Sequence, residues 1–355
     1  MRKLIALTGI LMVASMVLAA CGAAAPTVAP AETEAPEPQE AGSILARVKE
    51  RGTLICGGRT DLAGFGVLDD SGNNAGFDID LCRAVAAAVL GDANAIEVVP
   101  LTAADRGPSI QTAEVDLLTR NVTWTSSRDA QWGNFTTVMF YDGQGFMVRE
   151  DSGITSTDEF DGATVCVTSG TTTEQNLATF FRQNGMTYEA VIFEETAAVY
   201  GAYEDGRCDV TTSDKSQLAS VRIGFADPDA HIILPDTISK EPLTPAVPHG
   251  DDAWFDTVKL VMYALINAEE LGITQANVEE MKTGDSIAAR FMLGGDEGDW
   301  GYSDLGLDPD ALARAIAAVG NYGEIYERNI GPIGIPRGPN ELWSNGGILY
   351  APPIK

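Results

Sequence analysis

The run Gly76-Phe77-Asp78-Ile79-Asp80-Leu81-Cys82-Arg83-Ala84-Val85-Ala86-Ala87-Ala88-Val89 decides the fold. Its apolar residues recur with helical period, which predicts a helix over 77–90, with Asp78 or Asp80 favouring its N-terminal end. Short apolar strands are expected on both sides, at 53–57 and 95–101. A short helix over 108–114 and a third strand over 115–118 follow. Alternation of strand and helix predicts an α/β lobe with a mostly parallel sheet flanked by helices.

The pattern restarts near Gly162. Strands are expected at 163–167, 190–193 and 208–212, with a helix over 197–205. Gly170-Thr171-Thr172-Thr173-Glu174 opens another helix that continues over 176–184, with a threonine cap and an acid beside bare N–H groups. The stretch 254–271 is a long amphipathic helix. The segments 141–149 and 238–247 flank the second unit and read as two crossings between lobes. This places lobe 2 (144–243) as an insertion between two parts of lobe 1 (44–143 and 244–355, the latter with a C-terminal extension).

The first 43 residues differ in kind. Arg2 and Lys3 precede an apolar stretch, 4–20, that is shorter than the roughly 20 residues a spanning helix needs. It ends in Leu18-Ala19-Ala20-Cys21, so 1–21 reads as a secretory signal. Small residues before a cysteine resemble the bacterial lipobox, which implies lipidation of Cys21 and an extracytoplasmic protein on a membrane, periplasmic or at the cell surface. The segment 22–43, rich in Ala, Pro, Glu and Thr, lacks the apolar residues to fold and reads as a disordered linker. Extended, it reaches up to roughly 70 Å.

The whole chain carries a net charge of −28. That argues against nucleic acid, which needs a basic face. An anionic ligand then requires a local cationic site, within a screening length of about 8 Å. Beyond Cys21, four cysteines remain, and four allow three pairings. Cys56–Cys82 and Cys166–Cys208 keep each pair within one βαβ-type unit. Their spacings fit no CxxC metal or redox motif, and an extracytoplasmic address favours disulfides.

Several strings together resemble the periplasmic solute-binding proteins of amino-acid ABC transporters, family 3, and within them the general L-amino-acid-binding subfamily. They are GFDIDLCRAVAAAV, EVDLLTRNVTWTSSRD, YDGQGFMVR, VCVTSGTTTEQNLA, GRCDVTTSD, ISKEPLTPAV, AEELGITQANVEEM, VGNYGEIYERN and GGILYAPPIK. The resemblance runs from about Ile44 to the C-terminus. It implies the two-lobed, type II periplasmic-binding-protein fold with two hinge crossings. It also implies a monomer that takes a free L-amino acid as ligand and ABC permease subunits as partners, with no cofactor. The four cysteines stand where that subfamily places its pairs.

The chemistry is legible independently. An amino acid presents a carboxylate and an ammonium, so its cleft must offer a fixed cation, neutral donors and an anion. Arg128 resembles the family's carboxylate-binding arginine, a fork that stays charged. Asn121 and Thr123 stand where the family supplies further contacts. Thr171 and Thr172 lie at a helix opening suited to an anion, and Asp214 resembles the acceptor of the ligand ammonium. Arg128 and Asn121 belong to lobe 1, Thr172 and Asp214 to lobe 2. A ligand touching all four holds the lobes shut.

Arg59 and Arg106 bear on specificity. In the glutamate/aspartate-binding members an arginine stands at the place of Arg59, where the general binders carry a small polar residue. Two cations near the ligand's distal end favour an acidic side chain, each charge-assisted hydrogen bond contributing roughly 1.5–3 kcal/mol. Arg106 occurs in broad-specificity members too. Arg59 has Asp61 as a competing partner, which leaves a general binder as the alternative. Gly107-Pro108 replaces the subfamily's aromatic and small residue, and bears on the reach of Arg106.

His231 and His249 belong to no catalytic pattern, and the acidic run 296–299 lacks EF-hand spacing, so neither an enzyme nor a metal site is expected. A dehydratase on this fold would need an acid/base pair in the cleft, for which Glu174 is the nearest candidate and is better explained as a helix N-terminal acid. A ligand sensor docked on a receptor would use the same closure. In the C-terminal extension, a helix is expected over 309–319 and an extended loop over 332–339, with Trp343 and Tyr350 as anchors to lobe 1.

Overall fold

The computed structural model describes residues 43–295 and 298–355. The signal segment, Cys21, the linker up to residue 42, and Asp296 and Glu297 of the acidic run lie outside the described residues.

The helix read from the opening run spans Phe77–Leu90. Gly76 before it has φ 133°, and a Cβ there would lie 2.2 Å from the Phe65 carbonyl oxygen, so a side chain is sterically barred. Gly91, in the left-handed region, ends it. Asp78 and Asp80 occupy the first turn, but each also holds a specific partner. Asp78 accepts the Asn121 backbone N–H at 2.7 Å, and Asp80 accepts from Arg328 and Asn329, both at 2.7 Å.

The strand Leu54–Gly58 is parallel to Ile96–Pro100 on one side and Leu117–Leu118 on the other. Ala246–Val247 then joins antiparallel, with Asn134–Phe135 at the edge, closing a five-stranded sheet. The second sheet has the order Tyr188–Phe193, Ala163–Thr168, Val210–Asp214, Gln144–Arg149, His231–Ile233. Its first three strands are parallel and the last two join antiparallel. All five of its strands come from the chain between two strands of the other sheet, so the chain leaves one sheet and returns to it. The two crossings pair as an antiparallel ribbon, Phe140–Asp142 with Glu241–Leu243.

Two disulfides form, one against each sheet. Cys56–Cys82 ties the strand Leu54–Gly58 of the first sheet to the helix Phe77–Leu90, and Cys166–Cys208 ties the strand Ala163–Thr168 of the second sheet to the loop before Val210–Asp214. The larger core lies behind the first sheet, around the helix Asp252–Glu270. Fully buried Trp254 donates its indole N–H to the Asp116 carbonyl at 2.8 Å. The second sheet carries two smaller cores, one around Phe146, Phe160 and Phe181, the other around Met147, Tyr203 and Leu218.

The C-terminal extension is fastened differently from expectation. Trp343 and Tyr350 meet edge to face but remain 52% and 58% exposed. The anchors are the buried Leu342, Leu349 and Ala351, and an Arg337–Glu269 pair with contacts of 2.6 and 3.1 Å. Aliphatic side chains bury completely here, whereas the amphipathic indole keeps its ring edge in water and its N–H on Glu270. Asn340 accepts the Tyr141 N–H at 2.7 Å and donates to its carbonyl at 3.1 Å, so the extension also braces the hinge ribbon. The segment 332–339 contains parts of two short 3₁₀ turns, Gly331–Ile333 and Gly338–Asn340, rather than a uniformly extended loop.

Candidate functional site

Between the two sheets lies a narrow, nearly closed cavity, of about 370 Å³ counting its solvent-open space. The first lobe lines it with Ala103, Arg106, Arg120, Asn121 and Thr123. The second lobe contributes Thr168, Thr171, Thr172, Thr173 and Thr196, together with Ser213, Asp214 and Gln217. The lining is almost wholly polar, with cations on one wall and hydroxyls plus one carboxylate on the other. The lobes touch across it: Thr123 and Thr172 hydroxyls are 3.5 Å apart, Arg59 donates to Gln217 at 3.0 Å, and Ser220 donates to the Ala63 carbonyl at 2.6 Å.

The cationic wall grows from strand ends and the turns after them. Leu117–Leu118 leads into Arg120 and Asn121, at the carboxyl edge of a parallel strand, where open α/β sheets bind ligands. Asn121 is one of two non-glycine residues with positive φ among the described residues, at 32°. Its backbone is held there by Asp78, and its side-chain oxygen accepts from Arg59 at 3.3 Å. Arg120 donates its Nε–H to the Leu101 carbonyl at 2.6 Å, and Arg106 to Ala103 at 3.0 Å.

The helix after Ala103 spans Arg106–Gln111, so Gly107 and Pro108 lie within it and Arg106 opens it. A Cβ at Gly107 would come within 2.7 Å of Trp132. That indole packs under two guanidiniums, Arg128 at 4.7 Å and Arg106 at 6.0 Å. Gly107 therefore makes room for the aromatic platform that carries both cations.

Arg128 stands behind the lining, buried, with Nη1 donating to the Thr123 carbonyl at 3.0 Å. Arg59 stands behind Asn121 and Gln217. It is 2% exposed and donates its Nε–H to Asp61 at 2.7 Å, and its Nη2 has no partner. Both the competing pairing with Asp61 and a contact to the cavity lining are therefore present in one side chain. Of the residues singled out from sequence, Arg106, Asn121, Thr123, Thr171, Thr172 and Asp214 come together on the cavity surface.

Electrostatics make this wall hungry for an anion. Burial, then the Arg120 and Arg128 charges, push Arg106 well below the ordinary arginine range, with Asp214 opposing. Burial, then Arg59, push Arg120 down to about 9. Burial also lowers Arg128. Guanidinium stays protonated at working pH, so these directions express uncompensated buried charge that an anionic group relieves.

The other wall has the opposite need. Asp214 ends the strand Val210–Asp214 and is 6% exposed. Burial, then Asp142 and Glu241, hold its pKa well above the usual carboxylate range. A cation beside it restores its charge. The helix Thr172–Gln183 is capped by Thr171, whose hydroxyl accepts the Glu174 N–H at 3.1 Å, and points first-turn N–H groups at the cavity edge. The Glu174 carboxylate accepts from Gly170 at 2.9 Å, as a helix-opening acid.

Sequence reading missed Arg120, Ser213, Gln217 and Glu241. Glu241 sits in the hinge ribbon, accepts from Thr123 at 2.7 Å and Thr172 at 2.8 Å on one oxygen, and from Asn176 at 2.8 Å on the other. One carboxylate thus accepts from both lobes at the hinge and engages the hydroxyls of both cavity-lining threonines as donors. Arg120 was findable, as a charge at a parallel strand's carboxyl end; Gln217 had no local signal.

The two histidines lie elsewhere. His231 Nδ1 is 3.0 Å from the Tyr203 hydroxyl, and His249 Nδ1 is 3.0 Å from Asn134. No group of three or more His, Cys, Asp or Glu that could hold a metal exists among the described residues, and no described helix is long and apolar enough to cross a membrane.

Comparison with known proteins adds an independent line. The model of the bacterial extracellular solute-binding proteins, family 3, matches residues 54–277. The general L-amino acid-binding periplasmic protein of Rhizobium johnstonii is 52% identical, over 88% of this chain and 93% of that protein. The glutamate/glutamine/aspartate/asparagine-binding protein of Rhodobacter capsulatus is 49% identical, over 88% and 94%. The solved structure of a periplasmic binding protein from Brucella ovis with glutathione bound superposes with a TM-score of 0.86, at 48% identity, covering 88% of this chain and 99% of that one.

Proposed function

From the premise that this chain belongs to the bacterial extracellular solute-binding proteins of family 3, we propose that it captures a free L-amino acid outside the cytoplasm and delivers it to the permease of an ABC importer. The observation that carries this reading is the opposition, across one cavity, of a crowded wall of buried arginines and the buried carboxyl of Asp214. A free amino acid is the small molecule that satisfies both at once. Its carboxylate meets Arg128 and Arg106 beside the first-turn N–H groups at Thr172, while its ammonium meets Asp214 and the acceptor faces of Thr123 and Thr172. The ligand thereby joins 44–143 and 244–355 on one side to 144–243 on the other, and the ribbon at 140–142 and 241–243 is the hinge.

We assign the side-chain end to Arg59 and Arg120, next to Asn121 and Gln217. Arg59 retains an unpartnered Nη2 despite its pairing with Asp61, which supports a preference for glutamate and aspartate. A broad amino-acid range is the second reading, favoured by the name of the Rhizobium relative. Glutathione, seen in the Brucella structure, is a third ligand worth testing. The protein acts as a lipid-anchored monomer, held by Cys21 at the end of the 22–43 linker, and performs no chemistry. Its relatives are binding proteins, and the cleft acid Glu174 is committed to a helix end.

Titration calorimetry on ligand-stripped protein tests this directly. Tight glutamate and aspartate binding with weaker glutamine supports the acidic preference. Equal binding of glutamate, glutamine and leucine supports the general binder. No heat from any amino acid overturns the reading.

A further inference from the structure

A second cavity opens beside the first, of about 1080 Å³ counting its solvent-open space. Thr196 lines both. The partition between them is a chain of hydrogen bonds centred on Arg59. Arg59 donates to Asp61, which lines the outer cavity, and to Asn121 and Gln217, which line the inner one. Gln217 in turn donates to the hydroxyl of Tyr200, at 3.1 Å, on the outer wall. Arg59 itself lines neither cavity, but its unpartnered Nη2 is a buried donor among residues that line both.

We propose that the outer cavity is a subsite for ligands extended at the side-chain end, namely γ-glutamyl amides with an apolar, uncharged tail. The inference rests on the amino-acid reading of the inner cavity. That reading consumes the α-carboxylate and the α-ammonium, so a longer ligand grows only from its side chain. The amide carbonyl of such a ligand takes the place of the glutamate γ-carboxylate and accepts from Arg59 Nη2. The tail passes Thr196 into a wall of Leu62, Val67 and Leu68 from the first lobe, and Tyr200 and Phe225 from the second. Asp61 and Glu204 also line this cavity and disfavour a second carboxylate there. Because its walls come from both lobes, a tail seated between them also favours the closed form.

Gly201 supplies a clean probe. It lines the outer cavity on the helix Thr196–Glu204, and a Cβ there meets nothing within 4 Å. Gly201→Phe fills the subsite without touching the inner cavity. Ala197→Trp does so from an exposed position on the same helix, where folding is insensitive to size.

The experiment is titration calorimetry of L-glutamine and γ-glutamyl-isopentylamide (isopentyl on the side-chain amide nitrogen), on wild-type protein and both variants. Burial of the added methylenes predicts a gain on the order of tenfold for the tailed ligand in the wild type. Both substitutions remove that gain and leave L-glutamine within about twofold. A tailed ligand that binds more weakly than L-glutamine to the wild type, or whose advantage survives both substitutions, overturns the subsite. In either case L-glutamine binding still stands for the inner cavity. Loss of L-glutamine, L-glutamate and the tailed ligand alike would instead remove the amino-acid reading, and the subsite with it.

Discussion

The two walls of the cleft solve one recognition problem by opposite means. The first-lobe wall is charged and braced: Arg106 and Arg120 are tied to backbone carbonyls, and Arg106 shares the Trp132 platform with Arg128. The second-lobe wall is nearly neutral, built of threonine and serine hydroxyls around the single acid Asp214. A wall of fixed charges recognises a carboxylate before closure, since its geometry needs no rearrangement. A wall of hydroxyls recognises little alone, but completes the site once the ribbon bends. On the proposed reading, affinity resides mainly in the first lobe and closure in the second.

The most damaging substitution for this contrast is Arg128→Ala. On the proposed reading it removes a charge-assisted contact to the ligand carboxylate, and the expected loss is on the order of a hundredfold in Kd by calorimetry. A loss below threefold would mean that Arg106 and Arg120 hold the carboxylate without it. Removing Cys166–Cys208 by a double change to alanine is expected to cost about 3 kcal/mol of stability, measured by urea unfolding. The loop it closes is longer than that of Cys56–Cys82, 42 against 26 residues, so the second lobe suffers slightly more than the first in the matching experiment.

Arg59→Ser sharpens the specificity argument: glutamate affinity is expected to fall roughly tenfold, and glutamine affinity less. Equal losses for both would reduce Arg59 to a structural partner of Asp61. Thr172→Ala tests the neutral wall. Kd is expected to rise by only about fivefold, roughly one hydrogen bond, and the effect lies in the dissociation rate because closure is what weakens.

The smallest effect concerns pH. Burial raises Asp78 and Asp142 to about 6. The folded protein therefore keeps protons that the unfolded chain has lost, and these groups stabilise it below the ordinary carboxylate range. That contribution is lost as pH rises through about 6. In ligand-free protein the Tm contribution declines from pH 4 to 7, and Asp78→Asn flattens the slope. A slope unchanged in Asp78→Asn contradicts the assignment of that proton.

Sequence periodicity gave the elements that depend on neighbours along the chain. The helix Phe77–Leu90 was legible to the residue, because glycine at both ends and a continuous apolar face specify it locally. Strands were legible to within a residue or two; the third strand of the second sheet falls at Val210–Asp214 rather than 208–212, where Asp209 instead caps the turn through Thr164. The two disulfides were legible for the same reason, since each closes within one unit. Illegible were contacts created by the hinge. Gln217 meets Arg59 across 158 positions, and Glu241 gathers threonines from both lobes. The anchoring of the extension was misread because aromatic size suggests burial, whereas Leu342 and Leu349 bury more completely.

Calorimetry of ligand-stripped protein with glutamate, aspartate, glutamine and leucine tests the central claim most directly. The two-wall account predicts saturable one-to-one binding, tightest for glutamate and aspartate, and lost in Arg128→Ala. Absence of binding by all four, or binding unaffected by that substitution, would contradict it.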